Sequence, residues 1–391
     1  MKRKSDALRK NFSEKRMYYE KMADKYHILQ YVAGFLTVIF AVCTLVFGYR
    51  SMLGDSFRYL WKTLSMNPVS LDARYEDVSY AVGSGVNFTF FKEDLAVIGD
   101  GKTMVYSLAG DLRFRHNTNN NGTAYDACGK YIAVYTPGAK GLCIYNSFGC
   151  VFEKIFKTPI RSVAVSDCGK FAVCFKGAED TVIEVFDENF RSETVFSVKN
   201  GVPYDMDFSP NGDKLILTSL ATLSGSYYTA LTVFDVSAER IVAEEKIDGK
   251  KPISTGFFDD GRFYAAVQGS VFFYHANAKL SQTVSLPQSD FSVTADRSVL
   301  LVLRNASEVS VYSKKGDLKE EFSLSENVFT LKTDGCFYYT MSDEKLTVYD
   351  TDGEILTQEQ LRSGVLDFFI LSDGSILVCY VSETDRIVIS D

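Results

Sequence analysis

The sequence predicts an all-β fold: an eight-bladed β-propeller behind one N-terminal transmembrane helix. Three observations support this prediction. A turn between two apolar runs recurs about every 40 residues. Each copy is followed by a second strand pair with an aromatic or β-branched centre, and one long uncharged run precedes the whole array. Four short strands in each repeat are typical of propeller blades.

The uncharged run covers residues 28–49 and contains no Asp, Glu, Lys or Arg. A helix of this length spans about 33 Å, which matches the hydrocarbon thickness of a bilayer. The run is longer than the apolar region of a signal peptide, and no small-residue cleavage site follows it. We therefore predict an uncleaved, single-pass membrane anchor.

Residues 1–27 form a basic tail with nine Lys or Arg and four acidic residues. The positive-inside rule places such a tail in the cytoplasm, which leaves the propeller extracytoplasmic at the cell membrane. The tail is interpreted as a solvated segment that sets the orientation. Docking to anionic lipid or to a cytoplasmic partner stays open as the alternative.

Residues 50–75 form a juxtamembrane amphipathic segment. Its apolar side chains follow the spacing of one helical face: Leu53, Phe57, Leu60, Trp61 and Leu64. A helix at the outer headgroup boundary and a helical stalk that continues the anchor are both compatible with this pattern.

The charge balance argues against a nucleic-acid partner. The whole chain has 42 basic and 50 acidic residues, and residues 51–391 have 32 and 46, a net charge of −14. Binding to phosphate backbones needs an excess of Lys and Arg. We therefore expect no nucleic-acid partner.

The propeller is predicted over residues 76–391 from copies of an Asp-x-Gly or Asn-Gly turn between apolar runs. The copies lie at residues 126–134, 166–173, 209–217, 258–267, 294–303, 332–340 and 371–380, with a degenerate first copy at 91–98. The last copy supplies only three strands before the sequence stops. Residues 76–82 can supply the fourth and close the ring. Seven blades are the alternative if the first copy is not a blade.

Two repeat segments, FSPNGDKLILTS and LTVFDVSAERIVAEEKI, resemble those of the WD40-like and YVTN-like propellers. Anchor and propeller together are similar to a bacterial domain-of-unknown-function family of single-pass, membrane-anchored propeller proteins. The resemblance implies a location and does not imply an activity. The Gly-His and Trp-Asp pairs of eukaryotic WD40 repeats do not occur in this sequence.

No catalytic residues, metal site or cofactor are predicted. The three histidines, His27, His116 and His275, are too widely spaced to form a convergent metal cluster. Cys143 and Cys150 occupy the two strands of one predicted hairpin, and a disulfide between them stays open. The acids Asp205, Asp207 and Asp367 lie in predicted innermost strands. They leave an alternative function open, an extracytoplasmic hydrolase or cofactor-dependent enzyme with its site in the propeller funnel.

The favoured function is a non-enzymatic binding or assembly platform for a cell-envelope component, such as a wall polymer, or for a membrane protein. Connections from each outer strand to the next inner strand meet near the axis and carry basic residues. An insertion at residues 221–228 is predicted to be a loop on the same side of the propeller, and it ends in two tyrosines, which are common contact residues. The predicted binding residues are Lys157, Arg161, Lys199, Tyr227, Tyr228, Lys250, Lys251 and Arg362.

Overall fold

The structure is a computed structural model that divides the chain into two units, residues 1–73 and 74–391. It describes residues 32, 34, 35, 37, 38, 78–80, 85–91, 94–99, 101–118, 124–177, 180–199, 201–287 and 291–388. The five described residues of the first unit are helical. Most of the predicted anchor, and all of the predicted tail and juxtamembrane segment, lie outside the described residues. No helix in the described part of the chain is long and apolar enough to cross a bilayer.

The second unit consists of antiparallel sheets in which consecutive strands are neighbours. The first four blades are β1 (Asn87–Phe91), β2 (Asp94–Gly99), β3 (Lys102–Ser107) and β4 (Leu112–Asn117); β5 (Ala124–Ala127), β6 (Ile132–Tyr135), β7 (Gly141–Asn146) and β8 (Gly149–Ile155); β9 (Ile160–Val165), β10 (Phe171–Lys176), β11 (Thr181–Phe186) and β12 (Ser192–Val198); and β13 (Val202–Phe208), β14 (Lys214–Leu223), β15 (Ser226–Asp235) and β16 (Arg240–Asp248).

The last four blades follow the same order. They are β17 (Pro252–Phe257), β18 (Phe263–Val267), β19 (Ser270–Tyr274) and β20 (Leu280–Ser285); β21 (Phe291–Ala295), β22 (Val299–Arg304), β23 (Glu308–Ser313) and β24 (Leu318–Ser323); β25 (Thr330–Thr333), β26 (Tyr338–Met341), β27 (Lys345–Tyr349) and β28 (Ile355–Gln360); and β29 (Val365–Ile370), β30 (Ile376–Tyr380) and β31 (Thr384–Ile387). The described residues thus form eight sheets, which confirms the eight-bladed prediction over the seven-bladed alternative.

The hydrophobic core lies between the blades. Each of eight buried clusters combines side chains from two neighbouring blades. We call the contact between two neighbouring blades a seam, and together the clusters cover all eight seams of the ring. The seam between the second and third blades is packed with aromatic rings. Phe171 and Phe186 stack with their centroids 4.5 Å apart, and Phe152 of the preceding blade covers both rings. Burial of such large rings contributes strongly to the stability of this seam.

The last blade is completed by residues from the start of the unit. Ser79 pairs with Glu383 beside β31, and hydrogen bonds join Tyr80 N to Ser382 O and Thr384 N to Val78 O. Val78 and Tyr80 are buried in the seam between the eighth and first blades. This is the position where the sequence predicted residues 76–82, of which 78–80 are described.

The fourth blade has longer hairpins than the other blades, and β14–β15 is the longest. β14 and β15 have ten residues each and remain paired up to Leu223 and Ser226. Ser224 and Gly225 form the turn, both with positive φ (52° and 86°), as a two-residue type I′ turn requires. The predicted loop insertion at residues 221–228 is therefore an extension of two strands.

Candidate binding face

The strand order defines two faces of the propeller. In each blade, the connection from the outer strand to the next inner strand lies at the same end as the turn between the second and third strands. We call this end the crossover face. It carries the connections at residues 156–159, 249–251, 324–329 and 361–364 and the tip of the β14–β15 hairpin. The other end, with the remaining turns, is called the turn face.

All eight predicted binding residues belong to the crossover face, although not all lie in loops. Lys157, Lys199, Lys250, Lys251 and Arg362 lie in connections. Three others lie in strands, which corrects the prediction that the whole set is in loops. Arg161 is the second residue of β9, and Tyr227 and Tyr228 belong to β15.

The structure brings four of the predicted residues together beside the long hairpin. The Nζ of Lys251 lies 5.8 Å from the ring centroid of Tyr227. The backbone holds this arrangement, because Gly249 N donates to Tyr227 O (3.0 Å) and Thr229 Oγ1 donates to Lys250 O (2.8 Å). A Lys near an aromatic face gains a cation–π attraction.

The other two members of this group, Lys250 and Tyr228, are engaged in contacts within the propeller itself. Lys250 donates to the hydroxyl of Ser270, and its Nζ lies 5.8 Å from the Phe272 ring. The Tyr228 ring is covered by Lys246, whose Nζ is 4.6 Å from the ring centroid. Lys251 and the exposed Tyr227 are therefore the pair best placed to contact a partner.

Arg362 lies apart from that group and is already paired. Its guanidinium contacts Glu383 Oε1 at 2.6 Å and Asp385 Oδ2 at 3.3 Å, and it stacks on Tyr380 at 4.7 Å. These contacts hold the connection before β29 against β31. By contrast, Lys157, Arg161 and Lys199 are exposed and make no ion pair with any described residue.

A recurring irregularity shapes the axial rim of the crossover face. Four inner strands, β9, β13, β17 and β29, have a register shift around their second or third residue. A bulge of this kind re-aims one side chain. The displaced residues are Arg161, Tyr204, Ile253 and Leu366.

Both faces of an inner strand pack against neighbouring blades, so an exposed side chain on it reaches solvent through the channel or the face. Tyr204 is 55% exposed and Leu366 is 41% exposed. The crossover face carries further exposed apolar residues: Val202, Leu223, Phe329 and Val381. Sequence reasoning missed these residues, because an apolar residue at the start of a strand resembles any other member of an alternating pattern.

The predicted channel acids are bound by backbone amides. Asp205 accepts from Met206 N (3.0 Å) and Thr255 N (2.8 Å), and Asp207 accepts from Phe208 N and Phe257 N, both at 2.8 Å. Each carboxylate thus has both oxygens occupied and joins β13 to β17.

Asp126 was not predicted and repeats this arrangement two seams earlier. Its Oδ2 accepts from Val165 N at 2.6 Å, which joins β5 to β9. Burial, followed by the nearby charge of Asp207, raises the pKa of Asp126 to about 8. Burial also raises the pKa of Asp207 to about 7, and that of Asp205 lies above its usual value for the same reason.

The third predicted channel acid, Asp367, is neutralised by a cation. Lys332 Nζ lies 2.7 Å from Asp367 Oδ1 and also donates to Phe368 O at 2.5 Å. The same Nζ lies 4.4 Å from the Phe369 ring centroid. This contact joins β25 to β29, so it too ties two inner strands together.

A cavity of about 200 Å³ lies where the inner strands end on the turn face. Its lining includes Asp167, Asp207, Asp259 and Arg297. Arg297 Nη2 is 3.4 Å from Asp167 Oδ2, and Lys314 pairs with Asp259. The turns of this face use acids as caps: Asp187 accepts from Asn189 N and Arg191 N, and Asp350 accepts from Asp352 N and Glu354 N.

A separate cluster of side chains of metal-binding types lies between the first two blades, on β4, β7 and β8. A ring nitrogen of His116 and the sulfurs of Cys143 and Cys150 lie within 4.8 Å of one another. A hydrogen bond between the two sulfurs raises the pKa of Cys143 and lowers that of Cys150. All seven cysteines among the described residues are free thiols, including this pair.

A family model described as "Family of unknown function (DUF5711)" matches residues 72–389, which cover the whole propeller. The chain belongs to this family. No curated protein matches the sequence.

The family fold is shared with distant solved propellers. The chain is similar to BamB from Moraxella catarrhalis (TM-score 0.55, 10% identity, 80% of this chain and 99% of that chain). It is also similar to the C-terminal WD40 domain of Sif2 (0.59, 14%, 81% and 100%) and to the Dos1 propeller (0.58, 12%, 81% and 96%). At these identities the likeness concerns the fold alone.

Proposed function

We propose that this protein is a non-enzymatic binding or assembly platform whose crossover face contacts a protein partner. The observation that carries the proposal is the composition of that face. Exposed aromatic and aliphatic side chains surround the axial entrance, basic residues are interleaved with them, and the long β14–β15 hairpin projects beside them. Aromatic anchors with a polar rim are typical of protein interfaces.

We place the platform outside the cell membrane, with the N-terminus in the cytoplasm. The support for this location is the basic tail, the uncharged run at residues 28–49 and the acidic propeller. In that location the partner is a membrane protein or another component of the cell envelope. The propeller fold shared with BamB and a WD40 domain is compatible with such a role.

The alternative, a hydrolase in the funnel, loses its support. A catalytic carboxylate needs an oxygen available to substrate or water. In Asp205 and in Asp207, one oxygen accepts from the amide of the following residue and the other accepts from an amide of the next blade, and Asp367 is bound by Lys332. We assign these acids to the fold.

Crosslinking and capture from intact membranes test the platform. We expect the full-length protein to recover a specific envelope protein, and the double variant Leu223→Ser, Tyr227→Ala to reduce recovery at least tenfold, since central aromatic anchors contribute about 2 kcal/mol or more. Phe337→Ala is the matched control, because Phe337 is as exposed as Tyr227 (39%) but lies on the turn face. Equal recovery by all three proteins would refute the assignment of the crossover face.

A topology test addresses the location separately. A reporter fused after Asp391 should be active only outside the cell, and protease added to intact cells should reach the propeller but not the tail. Protection of the propeller in intact cells and its digestion after lysis would show the opposite orientation.

A further inference from the structure

The seam between the first and second blades contains a cluster that no single repeat supplies. His116 lies on β4, the outer strand of the first blade, whereas Cys143 and Cys150 lie on β7 and β8 of the second. The donor atoms of all three lie within 4.8 Å of one another. The propeller's own packing brings the outer edges of these blades together.

The hairpin register places both sulfurs on one side of the second blade. Cys150 lies opposite Tyr145, and Cys143 lies opposite Glu153, with a bulge between Ile144 and Tyr145. Cys143 and Tyr145 are two residues apart on one strand and so share a face. Their common face is the one turned towards His116 of the first blade.

The histidine ring is held in place by its surroundings. The hydroxyl of Tyr145 lies 2.9 Å from His116 Nδ1, and the two rings meet edge-on with centroids 5.6 Å apart. Tyr145 is fully buried and stacks on Phe114 at 5.9 Å. A metal-bound imidazole ordinarily has such a partner, which fixes the orientation of the ring.

We propose that His116, Cys143 and Cys150 bind a thiophilic d¹⁰ metal ion, Zn²⁺ or Cu⁺, between the first two blades. Two sulfurs and one imidazole select soft or borderline ions over Mg²⁺ and Ca²⁺, which prefer oxygen ligands. In a tetrahedral zinc–thiolate site, neighbouring donors lie about 3.8 Å apart. The observed spacing therefore needs only a small contraction by side-chain rotation.

Metal binding releases protons and leaves a fourth coordination position for another ligand. Both thiols lose a proton to solvent when the ion binds, since the thiolate is the ligand form. Three protein donors leave a fourth position for water or for the carboxylate of Glu153, which pairs across the strands with Cys143. The bound ion joins two blades next to the closing seam, so it stabilises the ring.

The test uses the full-length protein in detergent, reduced and freed of metal, and titrated separately with Zn²⁺, Cu⁺ and the optical probe Cd²⁺. We expect one ion per chain, a cadmium–thiolate absorption band, and a Tm about 3–6 °C higher at a metal concentration a hundredfold above Kd. The relative affinities for Zn²⁺ and Cu⁺ identify the ion.

Two variants and two controls locate the site. Cys150→Ser and His116→Gln should each weaken binding more than tenfold, since even the loss of a supporting contact costs about 10–100-fold. Cys336→Ser and His275→Gln should bind as wild type, because both residues are exposed and lie outside the cluster. Cys143 is only 2% exposed, so its substitution is not used.

Three outcomes would overturn the proposal. They are the absence of stoichiometric binding for every ion, unchanged affinity in the Cys150 and His116 variants, or a persistent Cys143–Cys150 disulfide seen as the loss of two hydrogens by mass.

Discussion

Aspartates on the inner strands take the place of a missing strand partner. The axis-facing edge of an inner strand has no neighbouring strand, so its N–H groups need another acceptor. Asp126, Asp205 and Asp207 supply that acceptor to the next blade, at Val165, Thr255 and Phe257. Each carboxylate thereby orients two blades, and the desolvation that accompanies this role raises its pKa.

These raised pKa values predict a pH-dependent stability. Asp126 and Asp207 have pKa values of about 8 and 7 in the folded protein, above the ordinary value of 3.8. The folded state therefore keeps protons that the unfolded state loses, and its stability falls as the pH rises from about 4 through about 8. The slope is at most about 1.4 kcal/mol per pH unit for each carboxyl. Thermal melts between pH 6 and 8.5 measure it.

The variant Asp126→Asn isolates this effect from general charge repulsion. Asn keeps an oxygen for Val165 N and cannot ionise, so we expect a flatter slope and a Tm above wild type at pH 8.5. Asp373→Asn is the control, because the pKa of exposed Asp373 is lowered and it titrates below this range. Parallel wild-type and Asp126→Asn curves would contradict the assignment.

The sequence located two of these acids but not their role. Asp205 and Asp207 stand out as acids in predicted inner strands, which suggested a hydrolase. Their partners are backbone amides 50 residues further along the chain. Every residue except proline has such an amide, so residue identity gives no signal for this contact.

At the scale of elements, the β14–β15 hairpin shows that the repeat pattern predicts where strands lie but not how long they are. The sequence placed an insertion at residues 221–228 and interpreted it as a loop. The structure continues the strand pairing through Ala221↔Tyr228 and Thr222↔Tyr227. The Ser224-Gly225 dipeptide is a hairpin turn signal, and it is the feature that distinguishes an extended hairpin from a loop.

The connection into this blade depends on one glycine. Gly201 precedes β13 with φ +57°, and a Cβ atom there would lie 2.2 Å from Leu220 O and 2.8 Å from Ala221 Cα. These are backbone atoms of extended β14, which cannot rotate away. We expect Gly201→Ala to destabilise the protein by about 3 kcal/mol or more, since backbone displacement adds to the strain of positive φ. Denaturant unfolding measures the change.

Gly225→Ala is the matched control for this prediction. Gly225 also has positive φ (86°), but nothing lies within 4 Å of its added Cβ. Gly225→Ala should lower the free energy of unfolding by about 1 kcal/mol, through backbone strain alone. If both variants lost the same free energy of unfolding, the contact with β14 would not contribute to the effect of Gly201→Ala.

At the scale of the whole molecule, the core is a closed ring of eight equivalent seams. The repeat period and the residues of the recurring turns predict the blades, because each repeat carries its own strand pattern. Contacts between repeats were harder to predict. The acid–amide contacts and the His116–Cys143–Cys150 cluster each combine residues of different blades, and no alignment within one repeat shows them.

The ring closes without a covalent bond, so its stability rests on the segment at residues 78–80. Tyr80 is 4% exposed, and its hydroxyl lies 2.5 Å from Tyr380 O and 2.9 Å from Glu383 O. Its ring also contacts Phe88 of the first blade, with centroids 5.6 Å apart. One side chain thus joins the closing segment, the last blade and the first blade.

We expect Tyr80→Ala to lower the free energy of unfolding by about 3–5 kcal/mol, through the cavity and the lost contacts. Tyr80→Phe should cost only about 1–2 kcal/mol, because it keeps the ring and loses the hydrogen bonds. Ser79→Ala is the control, since Ser79 is exposed and pairs through its backbone.

Deletion of residues 76–82 should have the largest effect, because it uncovers the edge of β31 and the apolar side chains beneath it. We expect a lower Tm together with oligomers in size-exclusion chromatography, as exposed strand edges pair with one another. Oligomers in the deletion but not in Tyr80→Ala would separate the pairing of the edge from the packing of the ring. A monomeric deletion variant with the wild-type Tm would mean that the seam between the eighth and first blades holds without its closing segment.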